Sequence, residues 1–290
     1  MQVGLFLGCL VPSRFMAYEL SMRKVLELLG VEVVDLGTAC CGSPYIFSVD
    51  RKAGLALAAW NLSLAEEAGV KTLVTPCSGC NEVLNRAVEE LKDLDRRDAV
   101  NAVLSKVGRQ YKGEVAVKHI VRFLYEDVGL DKIRAMVKRP LKGLKVAVHY
   151  GCHLLRPSEV IKFENPHDPR SMDELVEAAG AVSVPYENKL ECCGFPAMPI
   201  DEELAYSIGM DKIRAMLAAG ANAVVTTCPS CFLHFENTQI LARRKGEEMP
   251  ALPVLHITQL LGLAMGLGPD EVGLRENRVG TEGLLQLLGA

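Results

Sequence analysis

Ten cysteines fall in two copies of one spacing, and nothing else in the chain restricts its folding as strongly. Cys9, Cys40, Cys41, Cys77 and Cys80 read C-x30-CC-x35-C-x2-C. Cys152, Cys192, Cys193, Cys228 and Cys231 read C-x39-CC-x34-C-x2-C. No cysteine lies outside the pattern. With 290 residues, 49% of them apolar, the chain has material for a real core and no need of disulfide staples. Thiols kept reduced and clustered at fixed spacings bind metal. A cytoplasmic protein is therefore expected.

The repeat extends beyond the cysteines. Ala68–Cys80 and Ala219–Cys231 match at an offset of 151 residues. Val3–Gly8 before Cys9 matches Val146–Gly151 before Cys152, and Val115–Ile120 matches Leu252–Ile257. This pattern reads as one ancestral unit, duplicated and fused. Pro and Gly interrupt it at Arg139–Gly143, which sets expected units of 1–140 and 141–290.

Within each unit, short β-branched runs alternate with helical stretches. Strands are expected at Val3–Leu7, Val31–Asp35, Thr72–Thr75 and Val115–Lys118, then at Lys145–His149, Ala181–Pro185, Ala223–Thr226 and Pro253–Leu255. Phe15–Leu29, Arg51–Ala68, Cys80–Leu94, Met172–Ala179 and Glu203–Ala219 carry the helical period. Gly30, Gly69, Gly180 and Gly220 stand where a left-handed helix cap favours glycine. The alternation implies an α/β fold of two similar parallel-sheet, Rossmann-like units. Cys9, Cys77, Cys152 and Cys228 then follow strand ends, and both CC pairs lie in loops past the second strands. Sites form at the carboxyl edge of such sheets, so five cysteines per unit can converge there. Helices starting after those loops favour thiolates.

Each CxxC alone is ambiguous between a redox dithiol, half a zinc site and part of an iron–sulfur site. Five thiols with an adjacent pair suit tetrahedral zinc badly. They suit an iron–sulfur cluster better, although a cubane takes only four cysteines. Zinc and redox thiols remain the weaker alternatives.

Gly8-Cys9, Cys40-Cys41-Gly42-Ser43-Pro44, Cys77-Ser-Gly-Cys80, Gly151-Cys152, Cys192-Cys193-Gly194-Phe195-Pro196 and Cys228-Pro-Ser-Cys231 resemble the duplicated CCG motif. The stretch Phe6–Ser21 resembles specifically the B subunit of heterodisulfide reductase, and the resemblance covers nearly the whole chain. It implies one non-cubane 4Fe-4S cluster per unit, each held by all five of that unit's cysteines. It further implies reduction of a disulfide bound between the two clusters, the methanogen substrate being the mixed disulfide of coenzyme M and coenzyme B. The implied partners are a ferredoxin-like C subunit and a flavin-containing A subunit. Similar CCG proteins also accompany glycolate and lactate oxidases and some succinate or fumarate enzymes. There the centre passes electrons to a quinone or partner, which is the competing reading.

Other residues carry weaker signals. His153, next to Cys152, is the candidate proton donor; the competing role is a hydrogen bond to loop backbone. His149 reads as packed, and His119 and His256 as helix-fixing residues. Arg14, Arg156 and Lys189 are candidate holders of an anionic substrate tail. Gly42 and Gly194 allow close backbone approach, with Pro44 and Pro196 stiffening the turns. Leu284–Leu288 is an apolar patch that docks either on a partner or on the chain itself.

A net charge of -4 without a long basic run disfavours nucleic acid. No apolar run reaches the roughly 18 residues of a membrane span. The short apolar start before Cys9 reads as a buried strand rather than an export signal. No C-x2-C-x2-C-x3-C run and no G-x-G-x-x-G after a strand is present. Neither flavin nor NAD is therefore expected in this chain, and electrons must enter from another protein.

Overall fold

Eight short strands form two sheets of identical topology in the structure, a computed structural model that describes residues 1–289. In the first, β1 (Gln2–Leu5), β2 (Glu32–Asp35), β3 (Thr72–Thr75) and β4 (Ala116–His119) take the order β2-β1-β3-β4. In the second, β5 (Lys145–His149), β6 (Val182–Val184), β7 (Ala223–Thr226) and β8 (Val254–His256) take the order β6-β5-β7-β8. Every pairing is parallel. Parallel neighbours require crossovers, and helices supply them. The inner strand β7 is buried throughout, as its Val-rich sequence requires, whereas the edge strand β2 stays partly exposed.

The expected helices form close to their sequence limits, as Met16–Leu28, Arg51–Glu67, Ser171–Ala178 and Glu202–Ala218. The stretch expected as a single helix over Cys80–Leu94 differs: it begins at Ser78 and ends at Glu90. A new helix, Leu94–Leu104, starts behind Asp93, whose carboxylate accepts from the Arg96 amide at 3.2 Å. The helices Pro229–Arg244 and Ile257–Ala264 lie outside the expected set. Both are buried on several sides, and the first turns His234, Glu236, Thr238 and Gln239 inward beside Phe232 and Phe235, so polar residues that would read as a solvated face lie in the interior. The patch at Leu284–Leu288 lies in the helix Glu282–Leu288 and docks on the chain itself: Leu284 is buried and Leu285 and Leu288 pack on the core.

The two sheets share that core. Val3, Leu5, Val25 and Leu26 belong to one apolar cluster with Val146, Val148, Leu260 and Leu261. A separate cluster lies within the first unit around Phe6, Leu62, Leu73 and Leu84. The second unit's own cluster takes in Val11, Phe15 and Tyr18 from the first. Buried polar pairs lock the joint: Tyr18 Oη donates to the Thr227 carbonyl at 3.1 Å, and the Ser21 and Thr258 hydroxyls meet at 2.7 Å. Both sheets thereby direct their carboxyl edges into one space.

Candidate metal centre

Local backbone chemistry puts the thiols at those edges. Cys77 and Cys228 are the N-caps of the helices Ser78–Glu90 and Pro229–Arg244, each extended and two residues past the end of its strand. The Thr75 and Thr226 hydroxyls accept from their amides at 3.3 and 3.5 Å. Pro229 fits the first helical position because no intrahelical partner exists there for an amide. The CC loops turn at Gly42 and Gly194, with φ of 97° and 99°. Their amides point back at Cys40 Sγ, 3.4 Å, and Cys192 Sγ, 3.5 Å.

All ten cysteines line one cavity of about 430 Å³. Leu7, Leu10, Tyr45, Phe195, Pro44 and Pro196 give it an apolar rim, and His153 and Ser230 add polar groups. Sulfur contacts run unbroken across it. Cys41 meets Cys40 and Cys80; Cys80 meets Cys77; Cys77 meets Cys228 of the other unit. Beyond that, Cys228 meets Cys231, which meets Cys193. Cys192 in turn bridges Cys193 and Cys152. The two sets therefore touch at Cys77 and Cys228.

Hydrogen bonding to Cys41, then to Cys77, raises the Cys80 thiol, and burial adds to it. Cys193, then Cys228, then burial act likewise on Cys231. Such thiols are costly to ionise singly, and a metal reverses the balance by binding sulfur as thiolate. Burial also raises Tyr18, with Cys228 and Cys77 adding to the effect.

The residues fit an iron–sulfur group. Five convergent thiols per unit exceed what one zinc ion takes. The cradle is shaped for sulfur: at Gly8, φ +69°, a Cβ would sit 2.9 Å from Cys80 Sγ. At Gly151, φ +73°, it would sit 3.8 Å from Cys231 Sγ.

Comparison with known proteins agrees with this arrangement. The Cysteine-rich domain (CCG) model matches twice, at residues 3–85 and 146–236. The B subunit of the ferredoxin/F(420)H(2)-dependent CoB-CoM heterodisulfide reductase of Methanosarcina acetivorans is 40% identical over 96% of this chain and 94% of its own length. The chain belongs to the family of heterodisulfide reductase B subunits. It is thus an oxidoreductase subunit, and the cysteine-rich domain implies iron–sulfur clusters. The family's reach is broad: the "8-methylmenaquinol:fumarate reductase membrane anchor subunit" of Wolinella succinogenes is 36% identical over 95% of this chain and 96% of its own. A crystal structure of a hypothetical protein from Helicobacter pylori shares the fold, with a TM-score of 0.75 at 17% identity. The match covers 96% of this chain and 52% of that one. Among the described residues of this heterodisulfide reductase family member, no helix is long and apolar enough to cross a membrane.

Of the remaining site candidates, His153 lines the cavity, with its Nδ1 buried and unpartnered among the described residues. Its carbonyl accepts from Asn81 Nδ2 at 3.1 Å, so the loop is fastened through backbone and the ring is left to the cavity. The three cations are outside the lining. Arg14 is exposed at the end of the helix Leu10–Arg14. Arg156 donates to the Leu190 carbonyl. Lys189 is paired with Asp173 at 2.7 Å and lies over the Tyr150 ring.

His119 caps its helix, with Nδ1 accepting from the Val121 amide at 3.2 Å. The equivalent His256 is likewise the N-cap of its helix, Ile257–Ala264, in a capping box with Gln259. Its ring is stacked between Tyr18, at 3.6 Å, and Phe232, at 4.1 Å, while Gln259 accepts from its amide. His149 is packed as expected, but against Cys193 and Cys231. Asn61 and Lys212 were not anticipated. Asn61 accepts from the Ala39 amide and donates to the Cys40 carbonyl, clamping the first CC loop from its helix. An Asn and a Lys at equivalent offsets, 151 apart, were the available signal.

Proposed function

We propose that this chain is the catalytic iron–sulfur subunit of a heterodisulfide reductase complex, holding two non-cubane 4Fe-4S clusters and reducing a disulfide between them. The substrate is the mixed disulfide of coenzyme M and coenzyme B or an analogue. The observation that carries the reading is the single cavity lined by both complete cysteine sets. Cys9, Cys40, Cys41, Cys77 and Cys80 would hold one cluster; Cys152, Cys192, Cys193, Cys228 and Cys231 would hold the other. Bound there, the clusters supply electrons one at a time.

The overall change is R–S–S–R′ plus two electrons and two protons to RSH and R′SH. The chain's apolar rim desolvates the disulfide and keeps bulk water from the reacting sulfurs. His153, free at Nδ1 on the cavity wall among the described residues, gives a proton to a departing thiolate. Electrons come from a ferredoxin-like partner, and behind it a flavin-containing one, in the cytoplasm. Arg14, Arg156 and Lys189 lie outside the lining and are the proposed contacts for anionic substrate tails; Arg156 would first have to leave the Leu190 carbonyl, and Lys189 would have to leave Asp173.

The test is anaerobic reconstitution, iron and sulfide analysis, and EPR, followed by turnover of the coenzyme M–coenzyme B disulfide with a reduced viologen. Turnover that is lost in both Cys9→Ala and Cys152→Ala supports the reading. Zinc without sulfide would sink it. The fumarate reductase relative supports a second reading, an electron-transfer subunit serving a quinone-linked enzyme. Assembled clusters that reduce no disulfide yet are oxidised by a menaquinone analogue would favour that one.

A further inference from the structure

His149 stands where the first unit has Phe6, since Val3–Gly8 aligns with Val146–Gly151. Phe6 is fully buried and shares an apolar cluster with Cys41 and Cys80. His149 is equally buried, and a ring nitrogen lies within 4.8 Å of Cys193 Sγ and Cys231 Sγ, the counterparts of those two cysteines. Among the described residues, neither of its nitrogens has a partner. Phe235 holds the ring edge-to-face at 4.9 Å, and His149 aligns with Thr226 of β7, two residues before Cys228. An imidazole with no polar partner in an apolar core is costly unless it serves a group bound there.

A second exchange lies on the helix behind. Asn61 on the helix Arg51–Glu67 corresponds to Lys212 on the helix Glu202–Ala218. Lys212 is 1% exposed, donates to the Asn188 carbonyl and lies 5.7 Å from the Tyr186 ring centroid. Tyr186 in turn packs against the apolar cluster that holds Cys193, Cys228 and Cys231, which places Lys212 on the second unit's side of the cavity. Burial pulls this ammonium down to about 8, and the thiols oppose that fall. His234, which replaces Val83, is turned to the Ala205 carbonyl at 3.0 Å and is left out.

We propose that His149 and Lys212 make the two centres unequal: His149 donates a ring N–H to a sulfur of the second centre, Lys212 places a cation beside it, and the second centre therefore has the higher reduction potential. A donor to sulfur and a nearby positive charge both favour the more negative, reduced form. Phe6 offers neither, and Asn61 is committed to the loop backbone. An arriving electron settles on the second unit first, which gives the cavity a polarity that its repeated topology alone would not. The inference rests on the reading of two iron–sulfur centres.

The experiment is a potentiometric EPR titration of the reconstituted full chain, with signals assigned through Cys9→Ser and Cys152→Ser. The second centre should be reduced first in the unaltered protein. His149→Phe and Lys212→Asn each install the first unit's residue and should lower the second midpoint, narrowing the gap, while the first midpoint stays put. His149→Gln and Lys212→Arg should retain most of the gap and guard against a folding defect. Phe6→His should raise the first midpoint. Two assembled centres with equal midpoints, or midpoints that ignore these variants, would overturn the inference alone. Nitrogen hyperfine coupling from a directly bound imidazole would overturn the donor role. A chain that assembles no iron–sulfur centre would end the functional reading as well.

Discussion

Gly8 and Gly151 decide how closely the backbone may approach the sulfurs. Alanine at Gly8 meets two obstacles: a left-handed φ, costing about 1–2 kcal/mol, and a Cβ 2.9 Å from Cys80 Sγ. Gly8→Ala should abolish iron uptake by the first unit and leave the second's intact, read by iron content and EPR. Gly151→Ala carries the conformational cost but a looser contact, 3.8 Å, so it should lower occupancy rather than abolish it. Asn61→Ala leaves the Ala39 amide and the Cys40 carbonyl unpaired in a partly buried loop. A loss of about 1–3 kcal/mol in the apo protein is expected, visible as a lower thermal midpoint, together with weaker metal retention in the first unit. At this scale the cysteines were legible because their spacing repeats. Lys212 was not, since a lone Lys in a helical stretch reads as surface, and only its burial reveals it; His149 reads as packed, but its place against Cys193 and Cys231 comes from the fold.

At the scale of elements, each CxxC straddles a helix start, with the first cysteine as cap and the second a turn later. The helix thereby aims its unpaired amides at the thiols, and the partial positive charge of its end favours thiolate. Ser78 occupies the position of Pro229, where an amide hydrogen has no helical partner. Ser78→Pro should accordingly shift the thermal midpoint by no more than a few degrees, whereas proline at Val83, mid-helix, should cost about 3 kcal/mol or more. The strands and the amphipathic helices were readable because their apolar periods survive. Pro229–Arg244 escaped because several of its polar residues are buried with partners that arrive from elsewhere: Gln239 exchanges hydrogen bonds with Leu252, and Glu236 accepts from the Arg278 and Val279 amides.

Across the whole molecule, the repeat is legible in sequence but the joint is not. Tyr18 and Ser21 look like ordinary helix residues until their partners, Thr227 and Thr258, arrive from the far end of the chain. The apolar cluster they flank runs through both units. Expressing 1–140 and 141–290 separately should therefore give halves that fail to unfold cooperatively in calorimetry, and mixing the two should restore at least part of the transition. Tyr18→Phe in the full chain should cost about 1 kcal/mol through the lost hydrogen bond. The same joint sets a schedule for biosynthesis. The first unit leaves the ribosome with the faces of Tyr18, Ser21 and Val25 uncovered, and the partners of Tyr18 and Ser21 follow 209 and 237 residues later. At ordinary translation speed this interval is roughly ten to fifty seconds. For that time the nascent first half presents open thiols and an unpaired apolar face together, so its exposure to oxidation and its exposure to aggregation coincide.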